Sequence, residues 1–133
     1  MPRILIIDDD DELRWLLGRM LVAAGYEVQE ATDGKAGLAC YRQERSDVVL
    51  TDIVMPHSDG LETIRALRLA DSEVKIIAMS GGDRGLRSDA YGASRFLLKP
   101  FTLEELLTTL ADVLGSDAPR QNPGDESDAR RGQ

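Results

Sequence analysis

Four consecutive branched apolar residues, Ile4-Leu5-Ile6-Ile7, run without interruption into the carboxylates Asp8 and Asp9. A half-exposed strand would alternate and a helix would need a longer segment, so this run reads as a strand buried on both faces. Such a strand belongs inside a parallel sheet covered by helices on each side, because parallel neighbours need crossover connections. The remaining chain supplies the parts for one. Leu13, Leu16, Leu17, Met20, Leu21 and Ala24 keep helical spacing between a cap at Asp11 and a stop at Gly25. A second strand is expected around Glu27 to Ala31, then a second helix opening at Asp33-Gly34 with Gly37, Leu38 and Tyr41 on one face. Asp47 to Thr51 forms a third strand ending on Asp52, and a loop over 53–58 leads to Asp59, spaced with Glu62 like a capping box. The third helix turns Leu61, Ile64, Leu67 and the stem of Arg68 inward. Val74 to Met79 is a fourth strand ending on Ser80, and Arg95 to Leu98 a fifth ending on Lys99-Pro100. Thr102 and Glu105 make a second capping box, after which Leu103, Leu106, Leu107, Leu110, Val113 and Leu114 carry a helix to Gly115. The alternation predicts an α/β fold with a five-stranded, doubly wound parallel sheet and helices on both faces.

Composition narrows what such a fold can do. The chain has 133 residues, of which 42% are hydrophobic, enough for one domain with its own core. Residues 116–133 have no large apolar side chain and are expected to form a disordered tail or linker, leaving a folded domain over 1–115. Cys40 is the single cysteine, so no internal disulfide forms and a reducing cytoplasm is the expected compartment. The apolar run near the N-terminus is too short for a signal-peptide core or a membrane span. A net charge of −8 repels nucleic-acid phosphates and anionic lipid, which argues against direct binding to either and favours a cation.

In open α/β sheets the ligand site lies outside the carboxyl ends of the strands. Here those ends carry Asp8 and Asp9, Asp52, Ser80 and Lys99. Carboxylates about 4 Å apart repel by roughly 4 kcal/mol at an effective dielectric near 20, so Asp8, Asp9 and Asp52 together need protonation or a cation. An all-oxygen ligand set suits Mg²⁺, which is commonly completed by phosphate oxygens. A carboxylate can itself be the nucleophile that forms an aspartyl-phosphate, with an ammonium and a hydroxyl set around the phosphoryl oxygens. Asp10, Asp11 and Glu12 read more simply as acidic residues favoured by the helix macrodipole.

Taken in order, Ile4-Leu5-Ile6-Ile7-Asp8-Asp9, Asp52-Ile53-Val54-Met55-Pro56 with Asp59-Gly60, Ser80, and Phe96-Leu97-Leu98-Lys99-Pro100-Phe101 resemble the response-regulator receiver domain of two-component signalling. The resemblance covers residues 3 to about 115 and implies the strand order 2-1-3-4-5. It also implies a phosphoacceptor switch in which Asp52 takes a phosphoryl group from a sensor histidine kinase or phosphotransfer protein. In that scheme Asp9, Asp52 and the backbone carbonyl of Val54 ligate Mg²⁺, and Asp8 acts through a water. Lys99 and Ser80 contact phosphoryl oxygens, Phe96 is the aromatic switch residue, and the Lys99–Pro100 peptide bond is cis. The output passes to an unidentified downstream protein by contact, and no external substrate is turned over.

One departure from the receiver pattern stands out. From Ser80 to Lys99 is 99 − 80 = 19 positions, about three short of the pattern and nearly one helical turn. Gly81, Gly82, Gly85 and Gly92 crowd this stretch, so the fourth helix is expected to be short and Asp83 to Tyr91 the most mobile part of the domain. Trp15 faces outward with Arg19 and Val22, as an ordinary exposed residue or as a docking or self-association contact. His57 reads as an exposed loop residue, with tuning of phosphoryl lifetime as its alternative. Cys40 reads as a small, partly buried helix residue rather than a redox sensor. Two other functions compete: a pseudo-receiver that signals without phosphate, and an aspartate-nucleophile phosphohydrolase of the haloacid dehalogenase type. The latter expects Asp-x-Asp-x-Thr/Val, whereas Asp8 to Glu12 ends in Glu.

Overall fold

The computed structural model describes residues 1–55, 58–81 and 92–115, with the backbone alone at 54, 55, 58 and 59. The expected fourth helix with its mobile segment, the residue His57 and the tail 116–133 lie outside the described residues. The chain begins with strand β1 (Arg3–Ile7), helix α1 (Asp11–Ala23), β2 (Glu27–Ala31), α2 (Gly34–Gln43) and β3 (Val48–Asp52). Two short strands, β4 (Val54–Met55) and β5 (Ser58–Asp59), precede α3 (Gly60–Ala70), followed by β6 (Ile76–Ser80), β7 (Arg95–Leu98) and the last helix, here α4 (Leu103–Leu114). Five strands pair in parallel in the order β2-β1-β3-β6-β7, which is the order 2-1-3-4-5 for the main-sheet strands. The fold is flavodoxin-like. Among the described residues no helix is long and apolar enough to cross a membrane.

Burial explains why the sheet is covered twice. Ile4 and Ile6 join Leu17 and Leu21 of α1 and Leu106, Leu110 and Leu114 of α4 in one core. Leu5 and Ile7 face the other way, toward Tyr41 of α2 and Ile64 and Leu67 of α3. Every residue from Ile4 to Ile7 is fully buried, and each such side chain contributes about 1.5–3 kcal/mol relative to exposure. The first strand thus belongs to both cores.

Helix ends follow local chemistry. The cap of α1 is Asp10 rather than the expected Asp11: its extended backbone lets Oδ1 accept from Leu13 N at 3.1 Å, while Asp11 falls inside the first turn. Thr102 and Glu105 form the reciprocal capping box at α4. The Arg68 guanidinium does more than its stem suggested, donating to the carbonyls of Ser72 (3.2 Å), Val74 and Gly92 (2.9 Å) and tying the end of α3 to the entries of β6 and β7. Tyr41 donates to Asp71 at 2.7 Å, bridging α2 to the end of α3; burial and this bond push the phenol pKa up, and the bond holds the Asp71 carboxyl below its usual range.

Several expectations needed revision. Leu16 and Leu103 are exposed rather than inward-facing: Leu103 is the first residue of its helix, and Leu16 borders an open groove between α1 and the start of α4. The loop over 53–58 contains an antiparallel pair, Val54 with Asp59 and Met55 with Ser58, which two-residue strands do not announce by periodicity. Val74 is buried but precedes the strand. The Asp59–Glu62 capping box rests on a side chain outside those described.

Two glycines sit where a side chain would collide. A Cβ on Gly60 would overlap the main chain of Ile53, whereas one on Gly37 would meet the side chain of Ile7, with Cγ1 at 2.7 Å. Backbone cannot yield as a side chain can, and alanine inside α2 gains about 1 kcal/mol in helix propensity. Gly60→Ala is therefore expected to lower unfolding free energy by about 3 kcal/mol, the upper end of overpacking costs, and Gly37→Ala by clearly less. Urea denaturation of both variants checks this; equal losses would contradict it.

Candidate functional site

Strand register builds the site. Ile7 of β1 pairs with Thr51 of β3, and Asp52 pairs with Met79 of β6, so Asp8 and Asp52 emerge from adjacent strands at the same rim. Ser80 pairs with Leu98 of β7, which sets Lys99 one residue beyond, its N–H donating to the Ser80 carbonyl at 2.7 Å. The Lys99–Pro100 peptide bond is cis. Because all five main strands run the same way, their final residues collect at one end.

The carboxylates of Asp8, Asp9 and Asp52 offer oxygen atoms within 4.8 Å of one another; Asp8 and Asp52 are buried and Asp9 is exposed. The Lys99 ammonium stands between the buried pair, Nζ lying 3.6 Å from Asp8 Oδ2 and 3.4 Å from Asp52 Oδ2. Among the described residues, three carboxyl groups stand against one ammonium, a formal excess of negative charge. Asp8 Oδ1 accepts from Asp10 N at 2.9 Å, but the buried Oδ2 accepts no hydrogen bond from the described residues. Burial pushes the Asp8 carboxyl above its ordinary pKa, against the Asp10 N–H and Lys99, and the negative charges of Asp52 and Asp9 push the same way. Among the described residues, a buried carboxylate oxygen without a donor in an all-oxygen cluster with excess negative charge fits a hard divalent cation such as Mg²⁺.

The other predicted residues fall as follows. Ser80 is buried at the end of β6, and Phe96 on β7 is partly buried against the core that α2 and α3 cover. The Val54 backbone lies two residues past Asp52 in β4. Trp15 is exposed, with the Arg19 guanidinium 5.6 Å from its ring centroid, and Cys40 is partly buried in α2. Arg14 escaped the sequence reading: it donates to the Asp8 carbonyl at 2.7 Å, to Asp11 at 2.7 Å and to Glu30 at 3.1 Å. Its signal was a basic residue between Leu13 and Leu17, on a helix face otherwise read as apolar.

This geometry has close parallels. The chain is 34% identical to the chemotaxis protein CheY4 of Vibrio cholerae, covering 86% of this chain and 99% of that one with a TM-score of 0.81. It is 33% identical to the response regulator TrrA of Thermotoga maritima, solved in complex with Mg²⁺–BeF, over 86% of this chain and 100% of that one, with a TM-score of 0.79. Among curated proteins, the response regulator MprA of Mycolicibacterium vanbaalenii is 39% identical over 132 residues, 96% of this chain and 57% of the relative. MprA of Mycobacterium avium is 38% identical over 90% of this chain and 54% of its own length, so the chain spans little more than half of these relatives. The response regulator receiver domain pattern matches residues 4–111, and the chain belongs to that family.

Proposed function

We propose that this chain is the phosphoacceptor switch of a two-component phosphorelay, Asp52 taking a phosphoryl group from a sensor histidine kinase or phosphotransfer protein. The observation that carries the reading is the Lys99 ammonium set against Asp8 and Asp52 within the three-carboxylate rim. In the transfer, an Asp52 oxygen attacks phosphorus, a P–O bond forms, and the P–N bond of the phosphohistidine breaks with its electron pair left on the imidazole. Asp9, Asp52 and the Val54 carbonyl would hold Mg²⁺ directly and Asp8 through a water; bound there, the ion supplies positive charge to the transferring phosphoryl oxygens. Lys99 offers its ammonium to one phosphoryl oxygen and Ser80 its hydroxyl to another. Phe96, which has no hydroxyl, reports the movement of Ser80 through packing alone. In dephosphorylation, a separate step, water attacks phosphorus and gives its proton to solvent, and the P–O bond to Asp52 breaks with its electron pair left on the carboxylate, releasing inorganic phosphate, so the chain turns over only its own phosphoryl group.

The phosphodonor must approach from the rim. Beside Lys99 lies an apolar groove of about 450 Å³ between α1 and the start of α4, lined by Leu13, Leu16, Leu17, Met20, Pro100 and Phe101. It suits the apolar face of a partner that brings a histidine to Asp52. The receiver over 1–115 then passes its change to a downstream protein in the cytoplasm, with 116–133 as tail or linker.

Two outcomes test the reading. After exposure to acetyl phosphate, intact-mass analysis is expected to find one added phosphoryl group on the wild type with Mg²⁺, and none without Mg²⁺ or in Asp52→Asn. Failure to label, together with failure to bind beryllofluoride, would favour the pseudo-receiver.

The second concerns stability. A carboxyl whose pKa is raised on folding contributes stability below its unfolded pKa, near 3.9, and loses it as pH rises through the folded value. At neutral pH an ionised Asp8 therefore weakens the metal-free fold. Asp8→Asn is expected to raise the urea midpoint in chelator at pH 7, with the gain shrinking toward pH 4. Mg²⁺ is expected to stabilise the wild type more than the variant. A lower midpoint for Asp8→Asn at pH 7 would count against this account.

A further inference from the structure

The Arg14 side chain is 13% exposed and held from three sides: by the Asp8 carbonyl at the end of β1, by Asp11 in the first turn of α1 and by Glu30 of β2. Glu30 is seated in turn over Gly18 of α1, where a Cβ would stand 3.1 Å from Glu30 Oε2, so a larger residue there would crowd the carboxylate that steadies Arg14. The contact with Asp8 is to its main chain. A guanidinium serving only to neutralise acidic charge would be expected to spend its donors on carboxylates; this one spends a 2.7 Å bond on a carbonyl oxygen. That oxygen belongs to the peptide joining Asp8 to Asp9. Fixing its direction fixes the peptide plane, and with it the point from which the exposed Asp9 side chain leaves the chain.

We propose that Arg14, braced by Glu30, is a positioning residue that orients the Asp8–Asp9 turn for divalent-cation binding, an inference that rests on the Mg²⁺ site of the preceding section. Two effects of the guanidinium oppose one another. Its charge repels a cation, whereas its hydrogen bonds hold the ligands ready for one. Removal tightens Mg²⁺ binding if charge dominates and weakens it if positioning dominates. Loss of groups that orient metal ligands typically costs 10–100-fold in affinity.

The test is direct calorimetric titration of Mg²⁺ into the full chain, with urea melts to establish that each variant is folded at the titration temperature. Arg14→Gln is expected to raise the Mg²⁺ Kd about tenfold or more. Arg14→Lys, which keeps the charge and loses the fork, is expected to raise it several-fold, and Glu30→Ala to raise it less. Should Arg14→Gln fail to fold, Arg14→Lys and Glu30→Ala decide by the same criterion. Unchanged or tighter Mg²⁺ binding in folded variants, with normal binding by the wild type, overturns the role of Arg14 alone, as does a stability loss with no change in Kd. Absence of Mg²⁺ binding by the wild type overturns the metal site and this inference with it.

Discussion

Asp8 and Asp52 lie side by side because β1 and β3 are adjacent parallel strands in a register that brings both to the sheet's end together. Two buried carboxylates in that position repel, and Lys99, delivered from β7 beyond the neighbouring β6, supplies a single compensating charge. The remaining negative charge fits the rim to a cation and, under the proposed function, to a phosphoryl group. An apolar replacement at Asp8 would pack more easily and lose that chemistry. The buried, charge-crowded Asp8 carboxyl is costly to the fold, in keeping with ionisable groups of perturbed pKa gathering at functional sites.

The two cores make the arrangement rigid enough to matter. β1 sends alternate residues into each of them, so a one-residue shift of this strand along its neighbours would exchange its four buried side chains between two differently packed cores and displace Asp8 at the same time. The helices lock the register from both sides. α1 and α4 cover one face, α2 and α3 the other, and Arg68 and Tyr41 fasten the end of α3 to its surroundings through main-chain carbonyls and Asp71. At the edge of the rim Arg14 of α1 bonds the main-chain carbonyl of Asp8.

Much of this was legible in residue pattern. The unbroken apolar run of β1, the Thr102–Glu105 box and the chemistry-bearing residues at the strand ends depend on local periodicity and residue type, which a sequence displays openly. The strand order came from family likeness, since periodicity does not say which strands are neighbours. Arg14 and the guanidinium of Arg68 were missed for one reason: a long basic side chain on an amphipathic helix can reach solvent or reach inward, and spacing does not distinguish them. Leu16 and Leu103 erred the opposite way, as apolar residues at inward spacing that the neighbouring elements leave exposed.

By itself the sequence determined the element types, the α/β class, the acidic character of the rim and the identity of its charged residues, because these follow from composition and short-range order. Tertiary structure decided what those residues do to one another. The Lys99 ammonium between two carboxylates and the Arg14 bond to the Asp8 carbonyl join residues from different elements, and burial leaves Asp8 Oδ2 with no hydrogen bond from the described residues. Each depends on strand register and helix placement set by the two cores, and electrostatic coupling depends on distance and burial that exist only once the chain is folded.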